Sequence, residues 1–237
     1  TSTVEYGFLE HCLREDLNEH AQRAMAVLRP IKLTITNYPE GQSETFEVEN
    51  NPNDPEAGTR PVTFSRNLYV ESDDFLETPI PKYKRLYPDG PECRLKGAYL
   101  IKCTGCVKDE QGNVVEILAT YDPDSKGGNP ADGRKVKGAT IHWVDAETAV
   151  DAQVRLYDNL FADENPDGGD KDFLDCLNPG SLEVLEGCKL EASLANAQPS
   201  DRFQFLRLGY FCADSKDSKP GHLVFNRSVS LKDSFKK

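Results

Sequence analysis

Between Pro81 and Cys103 the chain reads PKYKRLYPDGPECRLKGAYLIKC. Lys82, Lys84, Arg85, Arg94, Lys96 and Lys102 stand there against only Asp89 and Glu92, a local net charge of +4 in a protein whose formal net charge is −12. Lysines and arginines grouped with tyrosines are the usual footprint of phosphate or base contacts, because cations meet the backbone and aromatic faces stack on bases. A solvated strand face is the other reading of such a run. If the segment is extended, Arg94 and Lys96 project from one face while Cys93 and Leu95 face the other. Two cations side by side can take a phosphate or a base edge, and an arginine's planar fork suits either the O6/N7 edge of guanine or paired phosphate oxygens. Arg85 is the sharpest candidate for that role. Arg134, Lys135 and Lys137, in DGRKVKG, form a second basic group that fits either a tracked backbone or a solvated hairpin.

Other chemistry is hard to find. The chain holds no G-x-S-x-G, no Gly-rich phosphate loop followed by Lys-Ser/Thr and no H-E-x-x-H. Gly127, Gly128 and Gly133 sit among prolines and aspartates and read as turn residues. Carboxylate pairs such as Asp73/Asp74 and Asp122/Asp124 arise by chance among 40 acidic residues. Cys103 and Cys106 make a CxxC, but no second pair follows and His11, His20, His142 and His222 are scattered, so both read as plain thiols rather than metal ligands. Seven cysteines at irregular spacing suit a reduced, cytoplasmic protein better than a disulfide framework. No apolar run approaches the roughly 20 residues that span a bilayer, and the first residues lack a secretory pattern, so neither membrane nor export is expected. The acidic balance argues against wholesale wrapping of nucleic acid and against DNA as a partner; an RNA site must be local and depend on few residues.

These side chains must be held by a mainly β fold. Residues 4–28 carry the only strong helical pattern, with Val4, Phe8, Cys12, Leu13, Leu17, Ala21, Ala24 and Leu28 at three- and four-residue steps. Asp16 and Asn18 suggest a break between two short helices, and Pro30 ends the second. From Ile31 the period becomes two. Strands are predicted over Lys32–Thr36, Tyr99–Val107, Val114–Tyr121, Lys135–Val144, Val150–Tyr157, Phe203–Cys212 and Leu223–Leu231, with a hairpin turn at Asp109–Asn113. Such strands, separated by Gly, Pro and Asp loops, indicate barrels or sandwiches. The acidic, Gly-rich stretch Ala162–Asp172 is the expected boundary or excursion loop. At 237 residues, one large domain or two small ones are possible.

The segments REDLNEHAQRAMAVLRPIKLTI, KYKRLYPDGPECRLKGAYLIKC, YDPDSKGGNPADGRKVKGATIHWV, RLYDNLF and FQFLRLGYFCADSKDSKPGHLVFNRSVSLKD together resemble the C-terminal anticodon-binding region of the glutaminyl-tRNA synthetase family. The match is collinear over nearly the whole chain. It implies a mainly β fold of two tandem antiparallel barrels of the ribosomal-protein type, the second inserted in the first. It divides the chain into a helical connector at 1–30, a proximal barrel at 31–79 plus 159–237 and a distal barrel at 80–158. It implies an ATP-dependent ligase whose catalytic domain, with its ATP and Mg site, lies outside this chain. The fragment alone is then expected to be inactive and without cofactors.

Carried over position by position, the resemblance puts Arg23 and Gln204 at the middle anticodon base. Arg85, with its neighbour Lys84, falls at the third base, a guanine, and Arg94 and Lys96 fall near the first. Asn18, Asn53 and Arg207 match nearby polar contacts, and Lys82 belongs to the same basic group. A Gln beside an Arg suits uracil, whose edge offers two carbonyls and one N–H to a reader of unstacked bases. Lys96 stands where some relatives have Arg, which keeps charge but loses the fork. Lys82 replaces a polar amide, and Leu206 sits where an acid can occur. The partners implied are glutamine tRNA and the protein's own catalytic domain, with the protein a monomer. The alternatives are a glutamyl-tRNA synthetase, which would need a different third base, and a stand-alone ribosomal-type RNA-binding barrel. The helical start argues against the latter, because its exposed apolar stripe needs a partner. A self-contained all-β hydrolase lacks any convergent nucleophile and base.

Overall fold

The computed structural model describes residues 5–163, 165, 166, 168 and 172–232. Helix α1 (Tyr6–His20) comes first. Strands β1 (Gln22–Ala24), β2 (Ala26–Val27), β3 (Pro30–Ile35), β4 (Ser43–Glu49), β5 (Thr59–Ser65) and β6 (Asn67–Glu71) follow. The middle of the chain gives β7 (Cys93–Leu95), β8 (Leu100–Lys108), β9 (Val114–Tyr121), β10 (Thr140–Ile141) and β11 (Val144–Asp145). Last come β12 (Val150–Tyr157), β13 (Leu182–Leu190), β14 (Arg202–Phe205), β15 (Gly209–Ala213) and β16 (Leu223–Val229).

The strands form two barrel-like sheets. One runs β1-β14-β15-β16-β12-β13-β2 and the other β10-β7-β8-β9-β3-β6-β11, with β4 and β5 as a separate hairpin. In each, the two edge strands are halves of one extended segment: residues 22–27 supply both edges of the first sheet and residues 140–145 both edges of the second. One segment thus laces each sheet closed and leaves few unpaired edge groups. The pairing is mostly antiparallel, with parallel pairs β1/β14, β12/β16, β7/β10 and β3/β9.

One barrel is inserted in the other, but not at the expected positions. β3 and β6 pair with each other and with β9 and β11, and β12 pairs with β13 and β16. The inserted barrel therefore runs from about residue 30 to 145, not 80–158, and the outer one combines 22–27 with 150–229. The prolines at 79 and 81 lie inside the inserted barrel, on the irregular connection between β6 and β7. Proline breaks a ladder locally but carries no information about which distant strand pairs next.

Four other expectations are corrected. Among the described residues of 4–28 only one helix forms, because residues 21–27 are extended. Met25 and Val27 enter the core of the inserted barrel while Ala24, Ala26 and Leu28 enter the outer one. A strand buried on both faces reads as a continuous apolar run, which periodicity cannot tell from a helix. The basic stretch from Pro81 is mostly irregular up to β7, and the 135–144 strand shrinks to β10 and the first residue of β11. Phe203–Cys212 is a hairpin, β14–β15, turning at Leu206–Leu208. Of the expected loop at 162–172, residues 164, 167 and 169–171 lie outside the described residues.

The inserted barrel is filled by an aromatic nest. Tyr38, Phe46, Phe64, Tyr99, Tyr121 and Trp143 meet at ring-centroid distances of 4.9–5.9 Å, mostly edge to face, a geometry that satisfies the ring quadrupoles. Polar ties join the barrels. Arg60 on β5 forms a buried ion pair with Glu191 after β13 (Nη2–Oε2 2.9 Å), and Glu191 also accepts the Met25 amide. Glu71 accepts the amides of Leu28 (2.7 Å) and Arg29 (3.0 Å).

Candidate nucleic-acid interface

The end of α1 begins the site. The helix stops at His20, and the chain turns extended at Ala21, whose amide closes on Leu17 O. Arg23, next on β1, is only 5% exposed. Its guanidinium donates to Ala21 O (2.7 Å), Asn18 O (2.8 Å) and Asn18 Oδ1 (3.1 Å). It therefore satisfies carbonyls that a helix C-terminus leaves open and meets the negative end of the dipole. Burial nevertheless lowers its pKa from the ordinary arginine value.

Gln204 lies beside Arg23 in the parallel β1/β14 register and opposite Tyr210 on β15. The Tyr210 hydroxyl donates to Asn18 Oδ1 at 3.3 Å. The β4–β5 loop closes on the same place: Asn53 Nδ2 donates to Asn18 O (3.1 Å), Asn51 Nδ2 to Glu19 O (2.7 Å), and the Arg23 amide to Asn50 O (2.6 Å). Around these contacts opens a cleft of about 640 Å³ whose lining includes Asn18, Arg23, Asn53, Lys96, Gln204 and Leu206, with Glu47 and Glu49 on one wall. Five of the sequence-predicted residues thus converge from α1, β1, the β4–β5 loop, the end of β7 and β14.

The other five fall elsewhere. Arg94, on β7 two residues before Lys96, turns to the neighbouring loop, where its Nε donates to Gly128 O. Gly128 has φ of +85°, and a Cβ there would stand 2.9 Å from the Arg94 side chain, so glycine is needed on both counts. Lys82 and Lys84 are exposed, and Lys82 adopts φ of +66°. Arg85 and Arg207 meet instead at Asp74, in a small cavity of about 180 Å³ that also touches Glu71 and His142. Arg207 pairs with both Asp74 oxygens at 2.7 Å, and those bonds raise its pKa above the ordinary value. Arg85 Nη1 stands 3.3 Å from Asp74 Oδ1 and donates to Asp73 O at 3.2 Å.

The second basic group divides. Arg134 is held by Glu92, Asp122 and Asp132 at 2.6–2.9 Å, whereas Lys135 and Lys137 are exposed. Among the described residues no group of three His, Cys, Asp or Glu side chains is arranged to hold a metal. Cys103 and Cys106 are free thiols, and burial pushes Cys103 up to about 11. No described helix is long and apolar enough to cross a membrane. Asp74 carried no sequence signal: beside Asp73 it reads as one of many acidic neighbours, and its two arginines lie 11 and 133 positions away.

Residues 21–122 and 140–214 each match a family model described as tRNA synthetases class I (E and Q), anti-codon binding domain. The chain is 53% identical over all 237 residues to a glutamine–tRNA ligase of Clostridium kluyveri, covering 42% of that protein. It is 55% identical over 234 residues to one of Pseudomonas putida, covering 98% of this chain and 41% of that protein. One from Bradyrhizobium diazoefficiens is 52% identical over 236 residues, all of this chain to the nearest percent and 41% of its own. The chain thus spans about two fifths of the length of the curated relatives it matches.

Proposed function

The chain belongs to the anticodon-binding region of the class I tRNA synthetases for glutamate and glutamine, and from that premise we propose that it holds the anticodon loop of a glutamine tRNA, bearing CUG or UUG, between its barrels. In the full-length protein this recognition serves the ATP-dependent attachment of glutamine to that tRNA, with ATP and Mg bound by a catalytic domain beyond this chain. The reading places the protein in the cytoplasm, working as a monomer. Glutamine rather than glutamate is favoured by the relatives, which are glutamine–tRNA ligases at 52–55% identity.

The observation that carries the proposal is the 640 Å³ cleft. It gathers an arginine, a glutamine, two asparagines and a lysine, a donor-rich set with the carbonyl acceptors an unstacked pyrimidine requires. Arg23 and Gln204, adjacent in register, face the middle base. Lys96 and Arg94 stand near the first, Arg85 reads the third, and its exposed neighbours Lys84 and Lys82 meet the adjoining phosphates. Asn18 and Asn53 hold Arg23 and the loop in place. The glutamates at 47 and 49 repel a backbone phosphate and favour a neutral base edge at that wall.

The test is an anisotropy titration of this chain with an anticodon stem-loop carrying CUG, in parallel with one carrying CCG, across salt. Replacing the middle uracil is expected to weaken binding by about 1 to 3 kcal/mol, and Arg23→Ala or Gln204→Ala to erase that difference. Equal affinity for both loops, falling only with salt, would overturn the assignment.

A further inference from the structure

We infer that Asp74 is a positioning residue for base recognition: its buried carboxylate, shared by Arg207 from the outer barrel and Arg85 from the inserted one, fixes where the Arg85 guanidinium stands. This rests on the reading of Arg85 as the contact to the third anticodon base. Asp74 is 1% exposed and sits on the tight turn that follows β6. Arg207 neutralises it through two bonds of 2.7 Å from Nη1 and Nη2. Arg207 itself is at φ of +68°, a left-handed conformation uncommon for a side-chain-bearing residue, and the two-pronged pair supplies the constraint that keeps it there.

One arginine is enough to clamp the barrels, and the second reaches Asp74 differently. Arg85 is anchored through Nη1 alone, to Asp74 Oδ1 at 3.3 Å and to Asp73 O at 3.2 Å, and its side chain remains 41% exposed. That anchor leaves the Nε–Nη2 edge of the guanidinium to act as the fork that takes a guanine O6/N7 edge. The backbone follows the same plan. The Leu86 amide donates to Asp74 O and the Leu76 amide to Leu86 O, each at 3.0 Å, which lashes the otherwise irregular Arg85 segment to the Asp74 turn. His142 Nδ1 lies 3.3 Å from Arg207 Nη1 and its Nε2 lies 3.4 Å from Glu71 Oε1, so the far side of Arg207 is braced by the inserted barrel as well. A long side chain held at one nitrogen loses much of its rotamer freedom before binding, which is the saving that preorganisation provides.

The test compares stem-loops with guanine or adenine at the third anticodon position, and with uracil or cytosine at the middle one. It uses the unaltered chain, Arg85→Ala, and the double variant Asp74→Asn with Arg207→Gln. The double variant replaces the ion pair with two amides, so neither member of the pair is left as an unpaired charge. The unaltered chain is expected to prefer guanine. The double variant is expected to lose about ten-fold of that preference, keep the middle-base preference, and show no further loss when Arg85→Ala is added. If Arg85→Ala abolishes the guanine preference while the double variant retains it, the role of Asp74 is overturned and the reading of Arg85 stands. No guanine preference in the unaltered chain would overturn both. Loss of both preferences together in the double variant would show general damage and overturn a role specific to Arg85.

Discussion

Arg23 shows how much one side chain can carry. From sequence it is an arginine near the end of a helical pattern; in the fold it is the cap of α1, with three donations to Ala21 and Asn18. Recognition and stability are therefore coupled at this residue. Arg23→Ala is expected to cost about 1 to 3 kcal/mol in urea unfolding in addition to the base preference, because the buried Ala21 carbonyl and the part-buried Asn18 carbonyl lose their donor. An unchanged urea midpoint would refute the capping role. Glu71 makes a pH prediction. Burial pushes its carboxyl upward, but the contact with His142 and the amides of Leu28 and Arg29 outweigh this and leave it below the usual carboxylate range. A folded pKa below the unfolded one stabilises fully above the unfolded value, about 4.3, and that contribution is lost as pH falls through the folded value. Glu71→Gln should therefore flatten the decline of stability below about pH 4, followed by circular dichroism; an acid limb of unchanged steepness would contradict it. The Glu71 partnerships were not legible in sequence, since Glu71 lies 43 positions from Leu28 and 71 from His142.

At the level of elements, the residues 22–27 and 140–145 that lace the barrels are the least readable and the most consequential. The hairpin β8–β9 was plain, because alternating strands flank a turn in which Asp109 Oδ1 accepts the amides of Gln111 and Asn113. The β14–β15 hairpin was hidden, since Leu206-Arg207-Leu208 carries none of the usual Asn-Gly or Asp-Gly signal and reads as one long strand. The lacing segment at 22–27 reads as helix because its two faces enter two different cores. Met25, fully buried between strands of both sheets, is the sensitive point. Met25→Ala is expected to cost about 2 to 5 kcal/mol in denaturant unfolding through the cavity it leaves. A loss under about 1 kcal/mol would mean that this position repacks freely and the segment is not a shared wall.

At the scale of the whole molecule, a net charge of −12 repels RNA, and the local excess of cations that includes the exposed Lys82, Lys84 and Lys96 opposes that field. Exposed lysines there are expected to act on phosphates and buried readers on bases. Lys84→Gln should weaken all stem-loops alike and reduce the slope of log affinity against log salt by about 0.7, one single-strand phosphate contact. A change confined to one base sequence would instead make Lys84 a base reader. The barrels are tied by Arg60–Glu191, by Glu71 on the amides of Leu28 and Arg29, and by Arg207–Asp74, so the cleft sits on a rigid frame rather than between loose modules. What the sequence determined by itself was the class of fold, the family, the local basic charge and five polar residues of the cleft. Period-two alternation, turn chemistry and charge balance are local properties and can be read in order along a chain. The tertiary structure alone decided where one barrel ends, which strands pair, and that Arg85 and Arg207 share one aspartate. Those depend on contacts between residues tens to more than a hundred positions apart, and burial and long-range hydrogen bonding leave no mark on the sequence between them.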